Sequence, residues 1–273
     1  MIPVIDTHTH LDFTDFDGDR TDVVERARQA GVGRLLLIGT RPATLTRILD
    51  LCTGSPALVP VLGYHPGNVG EVTEGDLPFL ENLCRRHPVA AIGECGLDFH
   101  RIPPPLPDED EGCHAGRIEE WKERQMNLFR FQLELAVRLG LNVVVHQRDS
   151  WDETLDILGD FTGRVRAVFH CFGGTPEQVK TVRAMGHLVS FTGIVTFKNA
   201  ATVQASAAAV DSEGFMVETD CPYMAPVPHR GSRCEPAFTR EIVRQMANLR
   251  GAREDDIADC TNRVAAEFFR LGK

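Results

Sequence analysis

Residues 1–10 read MIPVIDTHTH. A short apolar run leads into Asp6-Thr7-His8-Thr9-His10, the pattern of a first β-strand that ends in polar residues. Side chains alternate faces along a strand, so His8 and His10 point the same way. Two imidazoles at one strand end can grip a divalent ion from one side. A metal-dependent hydrolase is therefore the leading reading, and it requires further ligands downstream.

Outward from this strand, short apolar runs alternate with helical patterns. Strands are predicted at 4–8, 34–38, 58–62, 89–94, 142–146, 165–170, 187–191 and 215–219. Helices are predicted near 21–30, 42–52, 76–86, 118–139, 150–159, 176–185 and 199–209. Two more follow the last strand, near 236–250 and 254–271. Leu128, Phe131, Leu135 and Leu139 give the fourth helix an apolar face. Ser150 with Glu153, and Thr175-Pro176 with Gln178, read as helix caps. Eight strands separated by helices imply parallel βαβ units, and the simplest closed form is an α/β (β/α)8 TIM barrel with an additional C-terminal helix. An open doubly wound sheet is the rival, weakened by the lack of Gly-x-Gly-x-x-Gly after the first strand. No linker divides the chain, so residues 1–273 are expected to form a single domain. The segment 102–116, with Pro103-Pro104-Pro105 and Asp108-Glu109-Asp110-Glu111, is expected to be an exposed loop beside the active face.

Composition is that of an ordinary water-soluble enzyme, with 42% hydrophobic and 25% charged residues. No apolar run approaches the roughly 20 residues of a membrane span. The N-terminus has no basic segment followed by an apolar stretch, so a cytoplasmic location is expected. The eight cysteines are then free thiols. Strand parity turns Cys95, Cys171 and Cys221 away from the residues that precede them. A net charge of −10 opposes broad attraction to nucleic acid but leaves room for a local positive site.

The C-terminal strand ends build the active site of a β/α barrel. There the chain places His8 and His10, Glu94, His146, His170 and Asp220. Four histidines and two carboxylates suffice for two divalent ions with one bridging carboxylate, and a nitrogen and oxygen donor set suits zinc, manganese, cobalt or magnesium. Asp6 and Glu218 lie deeper and can orient ligands. His65 is a candidate substrate contact or a turn residue beside Pro66. Arg148 is a candidate phosphate clamp, because a guanidinium matches phosphate oxygens.

The segments IDTHTHLDF, GYHPG, AIGECGLDFHR, VVVHQRDSW, VFHCFGGTP, VSFTGIVTFKNA and VETDCPYMAPVPHRG resemble, in order and over nearly the whole chain, the TatD family of metal-dependent hydrolases within the amidohydrolase superfamily. The resemblance implies a β/α barrel and, in its nuclease members, action on DNA. It implies one metal held by His8, His10 and Asp220, a second held by His146 and His170, and Glu94 bridging both. It also implies that His229 and Arg230 meet phosphate. Cys234 stands before Glu235-Pro236 where the family usually carries asparagine, and segment 102–116 is longer than the family's usual turn.

The expected function is a TatD-like deoxyribonuclease in which a metal-activated hydroxide attacks phosphorus. Asp220 would exchange the protons. The expected partner is DNA or a nucleotide phosphodiester, with no membrane and no obligate protein partner. Hydrolysis of carboxylic esters, amides or lactones is the alternative enzyme reading. A metal-stabilised binding protein without turnover is a third, disfavoured because structural sites are usually coordinatively closed.

Overall fold

In the computed structural model, which describes residues 2–272, every strand pair is parallel. The strands are β1 (Val4–Thr9), β2 (Val32–Ile38), β3 (Leu58–Val61), β4 (Ala91–Asp98), β5 (Asn142–Arg148), β6 (Ala167–Phe169), β7 (Leu188–Phe191) and β8 (Phe215–Val217). They form one run β1-β2-β3 and another β4-β5-β6-β7-β8. Parallel bridges join the runs at both seams, Leu62 with Ile92 and Thr9 with Cys221. At the second seam His10 N–H donates to Cys221 O and Asp220 N–H donates to His8 O, each at 3.0 Å. The ring is thus a closed α/β barrel, and its last seam is sewn by the residues of the predicted site.

The helices are α1 (Arg20–Gln29), α2 (Leu45–Thr53), α3 (Asp76–Arg86), α4 (Glu111–Leu139), α5 (Trp151–Gly159), α6 (Pro176–Ala184), α7 (Ala201–Ala209), α8 (Thr239–Arg250) and α9 (Glu254–Phe268). Helix α9 is the additional one. Its Asn262 bonds Ile5 N and Pro3 O, and Asn142 donates to Phe268 O, so α9 lies across the N-terminal strand ends. Phe268 and Val264 pack there with Leu36, Val61, Val144, Leu188 and Met216, each from a different strand. Burying one such phenylalanine contributes about 1.5–3 kcal/mol. This apolar plug closes the barrel floor and leaves the C-terminal mouth as the open end.

Several local expectations are corrected. Helix α4 starts at Glu111, so the second half of segment 102–116 is helical and only its first half is loop. Asp110 caps that helix, accepting from Cys113 N–H at 2.8 Å. Gly112 and Gly116 had masked the first turns, since glycine carries low helix propensity. The buried stripe of α4 includes Gln125 and Gln132, while Phe131 and Leu139 stay partly exposed. Ser150 does not cap α5; its hydroxyl donates to Leu97 O at 3.1 Å. Thr175 and Gln178 do form the reciprocal capping box of α6. Strands β6 and β8 are shorter than predicted, so His170 and Asp220 sit just beyond them.

Candidate metal centre

The six candidate ligands converge at the barrel mouth. At the end of β1 the Nε2 atoms of His8 and of His10, the residue just beyond the strand, stand 3.2 Å apart. His10 Nδ1 lies 3.2 Å from Ile38 O, a contact that places its proton on Nδ1 and leaves Nε2 with its lone pair facing inward. The β4–β5 register shifts between Ile92 and Cys95, which brings Glu94 into the mouth. Gly96 has φ 132°, and a Cβ there would fall 2.1 Å from His146 O. Only glycine lets β4 and β5 approach closely enough for Glu94 to meet His146.

Glu94 spans two groups of donors. Its Oε2 is 3.3 Å from His8 Nε2 and 3.8 Å from His10 Nε2. Its Oε1 is 2.8 Å from His146 Nδ1 and 2.9 Å from His170 Nε2. Asp220 Oδ1 completes the first group at 3.3 Å from His10 Nε2 and 3.8 Å from His8 Nε2. Ligand atoms held about 2.1 Å from a common tetrahedral ion stand roughly 3.4 Å from one another. The first group's spacings, 3.2 to 3.8 Å, bracket that value, while in the second group Glu94 stands closer, at hydrogen-bonding distance from His146 and His170. Several His, Asp and Glu clusters here are candidates to hold an ion.

The electrostatics agree with the geometry. Burial opposes ionisation of Glu94, yet charge on His170 and hydrogen bonds from His146 and His170 hold its carboxyl well below the usual range. Burial likewise opposes charge on Asp220, and His10 outweighs it, keeping the carboxyl low. Burial opposes a charged His170, but Glu94 and Glu218 push it well above an ordinary histidine. His10, His146 and His170 are pushed up because buried carboxylates demand counter-charge, a demand that divalent cations meet directly, whereas burial pushes His8 down. His8 Nδ1 is buried without a partner, while its Nε2 faces Glu94 at 3.3 Å. The residues present therefore fit divalent cations, with Glu94 lying between two sets of imidazoles.

Supporting contacts divide differently from expectation. Glu218 Oε1 accepts from Cys171 N–H at 2.7 Å and lies 3.4 Å from His170 Nδ1, beneath that ring. Asp6 does not touch a ligand side chain. The β1–β2 register shifts between Asp6 and Thr9, and Asp6 instead accepts from Thr219 and Thr239. Burial pushes its carboxyl up to about 7 against those donors. Asp98, to which the sequence assigned no role, faces His146 Nε2 at 3.2 Å through Oδ2, and its Oδ1 accepts from His100 N–H and Arg101 N–H. The spacing Glu94, Gly96, Asp98 on one strand face was the available signal.

His65 is buried with Nε2 3.5 Å from Glu94 Oε1. Its Nδ1 accepts from Gly67 N–H at 2.9 Å, and burial pushes its pKa down to about 3, so the neutral ring carries its proton on Nε2. Arg148 is exposed on the rim of a cavity of about 880 Å³, which Arg41 and Arg101 also line. His229 and Arg230 are not among the residues lining it. His229 stacks on Phe238 at 3.8 Å, and the Arg230 guanidinium lies 3.9 Å from the Phe197 ring centre. All eight cysteines are free thiols. Cys95 and Cys221 are buried away from the mouth, but Cys171 lines the cavity because β6 ends at Phe169 and Cys171 turns at φ 48°. Burial pushes its thiol up to about 12, leaving it unreactive.

A closed parallel barrel with histidines and carboxylates gathered at its C-terminal mouth is the architecture of a metal-dependent hydrolase. The fold alone is shared with an uncharacterised amidohydrolase from Saccharomyces cerevisiae, at TM-score 0.83, 17% identity, and coverage of 98% and 100% of the two chains. The chain belongs to the family of TatD related DNases, whose sequence profile matches residues 5–270. It is 32% identical over 269 residues to the uncharacterised metal-dependent hydrolase YabD of Bacillus subtilis, covering 98% of this chain and 99% of that one. It is 32% identical over 275 residues to a protein named 3′-5′ ssDNA/RNA exonuclease TatD from Erwinia billingiae, covering 98% and 99%. The crystal structure of YJJV, a TatD homologue from Escherichia coli K12, superposes at TM-score 0.87 with 29% identity and 98% coverage of both chains. No helix of the described residues is long and apolar enough to cross a membrane.

Proposed function

We propose that this chain acts as one catalytic unit that hydrolyses phosphodiester bonds of single-stranded nucleic acid, using two divalent cations held by His8, His10, Glu94, His146, His170 and Asp220. The observation that carries the reading is Glu94, whose two oxygens face two separate sets of imidazoles. The nucleic-acid part rests on the exonuclease name of the Erwinia relative and on the arginines of the rim. Zinc, manganese, cobalt and magnesium all suit the donor set. The eight free thiols favour a reducing, cytoplasmic setting.

Bound cations supply Lewis acidity, neutralising charge on the phosphoryl oxygens and sharpening the acidity of water in the cavity. The protein's own groups do the rest. Asp220 lines the cavity, and its carboxyl is held below the ordinary value, so it is ionised and able to take the proton of the attacking water. It then returns a proton to the leaving 3′-oxygen, a contribution of about 10²–10⁴ in rate. His65 offers Nε2–H to a phosphoryl oxygen, and Arg148 offers a planar fork of donors to the same charge. Nothing in this sequence of steps requires a covalent intermediate.

The test is a substrate panel with metal-reconstituted protein: labelled single-stranded DNA, duplex DNA, RNA and simple carboxylic esters. Shortening of the single strands ahead of the duplex is expected. Ester hydrolysis with no phosphodiester cleavage would replace this reading with the carboxylic-ester alternative.

A further inference from the structure

Two aromatic residues stand at the mouth in matching positions that the catalytic account leaves unused. Phe13 follows His10 by three residues, and Phe13 N–H donates to His10 O at 3.0 Å. Tyr223 follows Asp220 by three residues, and Tyr223 N–H donates to Asp220 O at 3.0 Å. Each aromatic thus rides on a tight turn that leaves a candidate ligand. The two turns are neighbours because β8 and β1 meet at the Thr9–Cys221 bridge. The rings stand 6.3 Å apart at 75°, and Phe13 lies parallel to His10 at 4.7 Å.

Packing accounts for Phe13, which supports the His10 ring. It does not account for Tyr223, which is 52% exposed while lining the cavity. Across the mouth the chemistry changes. Arg101 follows β4 and Arg148 ends β5, so both line the cavity on the arc opposite β8 and β1, with Asp149 and Trp151 beside Arg148 and Arg101 Nε 3.8 Å from Asp98 Oδ2. An aromatic wall opposite a cationic one is the arrangement that single-stranded nucleic acid requires, with π-faces for bases and positive charge for the backbone.

We infer that Tyr223, backed by Phe13, is a base-stacking platform for the nucleotide at the scissile bond, and that the strand runs from the scissile phosphate beside Arg148 toward Arg101. This inference rests on the proposed nuclease reading and adds the direction in which the strand lies. It also makes a specificity claim, because stacking accepts any base but requires one.

Equilibrium binding tests it without turnover. Two single-stranded oligonucleotides with uncleavable phosphorothioate linkages are compared by fluorescence anisotropy on the metal-loaded protein, one fully base-bearing and one with abasic units at its 3′ end. Loss of one stacked base weakens binding about tenfold in the wild type. Tyr223→Ala should collapse that preference to less than about twofold, and Tyr223→Phe should keep it. An undiminished preference in Tyr223→Ala, with the wild type still degrading ordinary single strands, overturns the platform and leaves the nuclease reading intact. A wild type that neither binds nor degrades either strand overturns both.

Discussion

Asp98 holds His146 from behind: its Oδ2 lies 3.2 Å from His146 Nε2, while the opposite ring nitrogen, Nδ1, faces Glu94 at 2.8 Å. A carboxylate behind a metal-facing imidazole fixes the tautomer and raises its basicity. Asp98→Asn should weaken one of two metal-binding events by about 10–100-fold and spare the other. Isothermal titration with manganese or zinc checks this; two unaltered affinities would remove Asp98 from the centre.

Metal binding should also be visible as stability. An ion present at 100 times its Kd adds about 2.7 kcal/mol to the native state. In a chain of this size that raises the melting temperature by about 5 °C per ion. Glu94→Ala takes a donor oxygen from each group and should cut the combined rise to less than half. Calorimetry of metal-stripped and reloaded proteins gives the comparison.

Much of this centre could be read in advance because its parts obey simple periodicities. His8 and His10 are two apart at a strand end, and Glu94, His146, His170 and Asp220 each follow an apolar run. What escaped reading depended on irregular backbone. The β1 register shift turned Asp6 toward Thr219 and Thr239, and the early end of β6 turned Cys171 into the cavity. His229 and Arg230 lie in a loop with no period, and stacking on Phe238 and Phe197 decides where they point. The closed barrel was legible from alternation alone, whereas the start of α4 was hidden by two glycines.

Gln132 is buried in α4 and bonds both backbone groups of Tyr64, accepting from its N–H at 2.8 Å and donating to its C=O at 3.0 Å. Tyr64 precedes His65, so this pair sets the loop that presents His65. Gln132→Leu leaves two buried polar groups without partners and should cost about 2–5 kcal/mol. Urea unfolding measures it; a loss under about 1 kcal/mol would mean that water replaces the amide.

His187 gives a pH signature away from the metal centre. It is buried, its Nδ1 accepts from Ala167 N–H at 3.2 Å, and burial with nearby Arg166 pushes its pKa down from 6.5 to about 4. Below pH 6.5 the unfolded chain takes a proton that the native one refuses until about pH 4, so stability is lost as pH falls through that window. The loss is about 3 kcal/mol. Metal-stripped wild type should therefore lose that much more than metal-stripped His187→Gln between pH 7 and pH 4. Parallel curves for the two proteins would contradict the assignment.

The most direct test of the whole account is a metal titration of stripped protein, read as the initial rate of single-stranded DNA cleavage against equivalents of manganese or zinc added. No cleavage is expected before addition, then a rise that levels at two equivalents, and no recovery in Glu94→Ala. Cleavage by the stripped protein at the reloaded rate, in the presence of chelator, would contradict it.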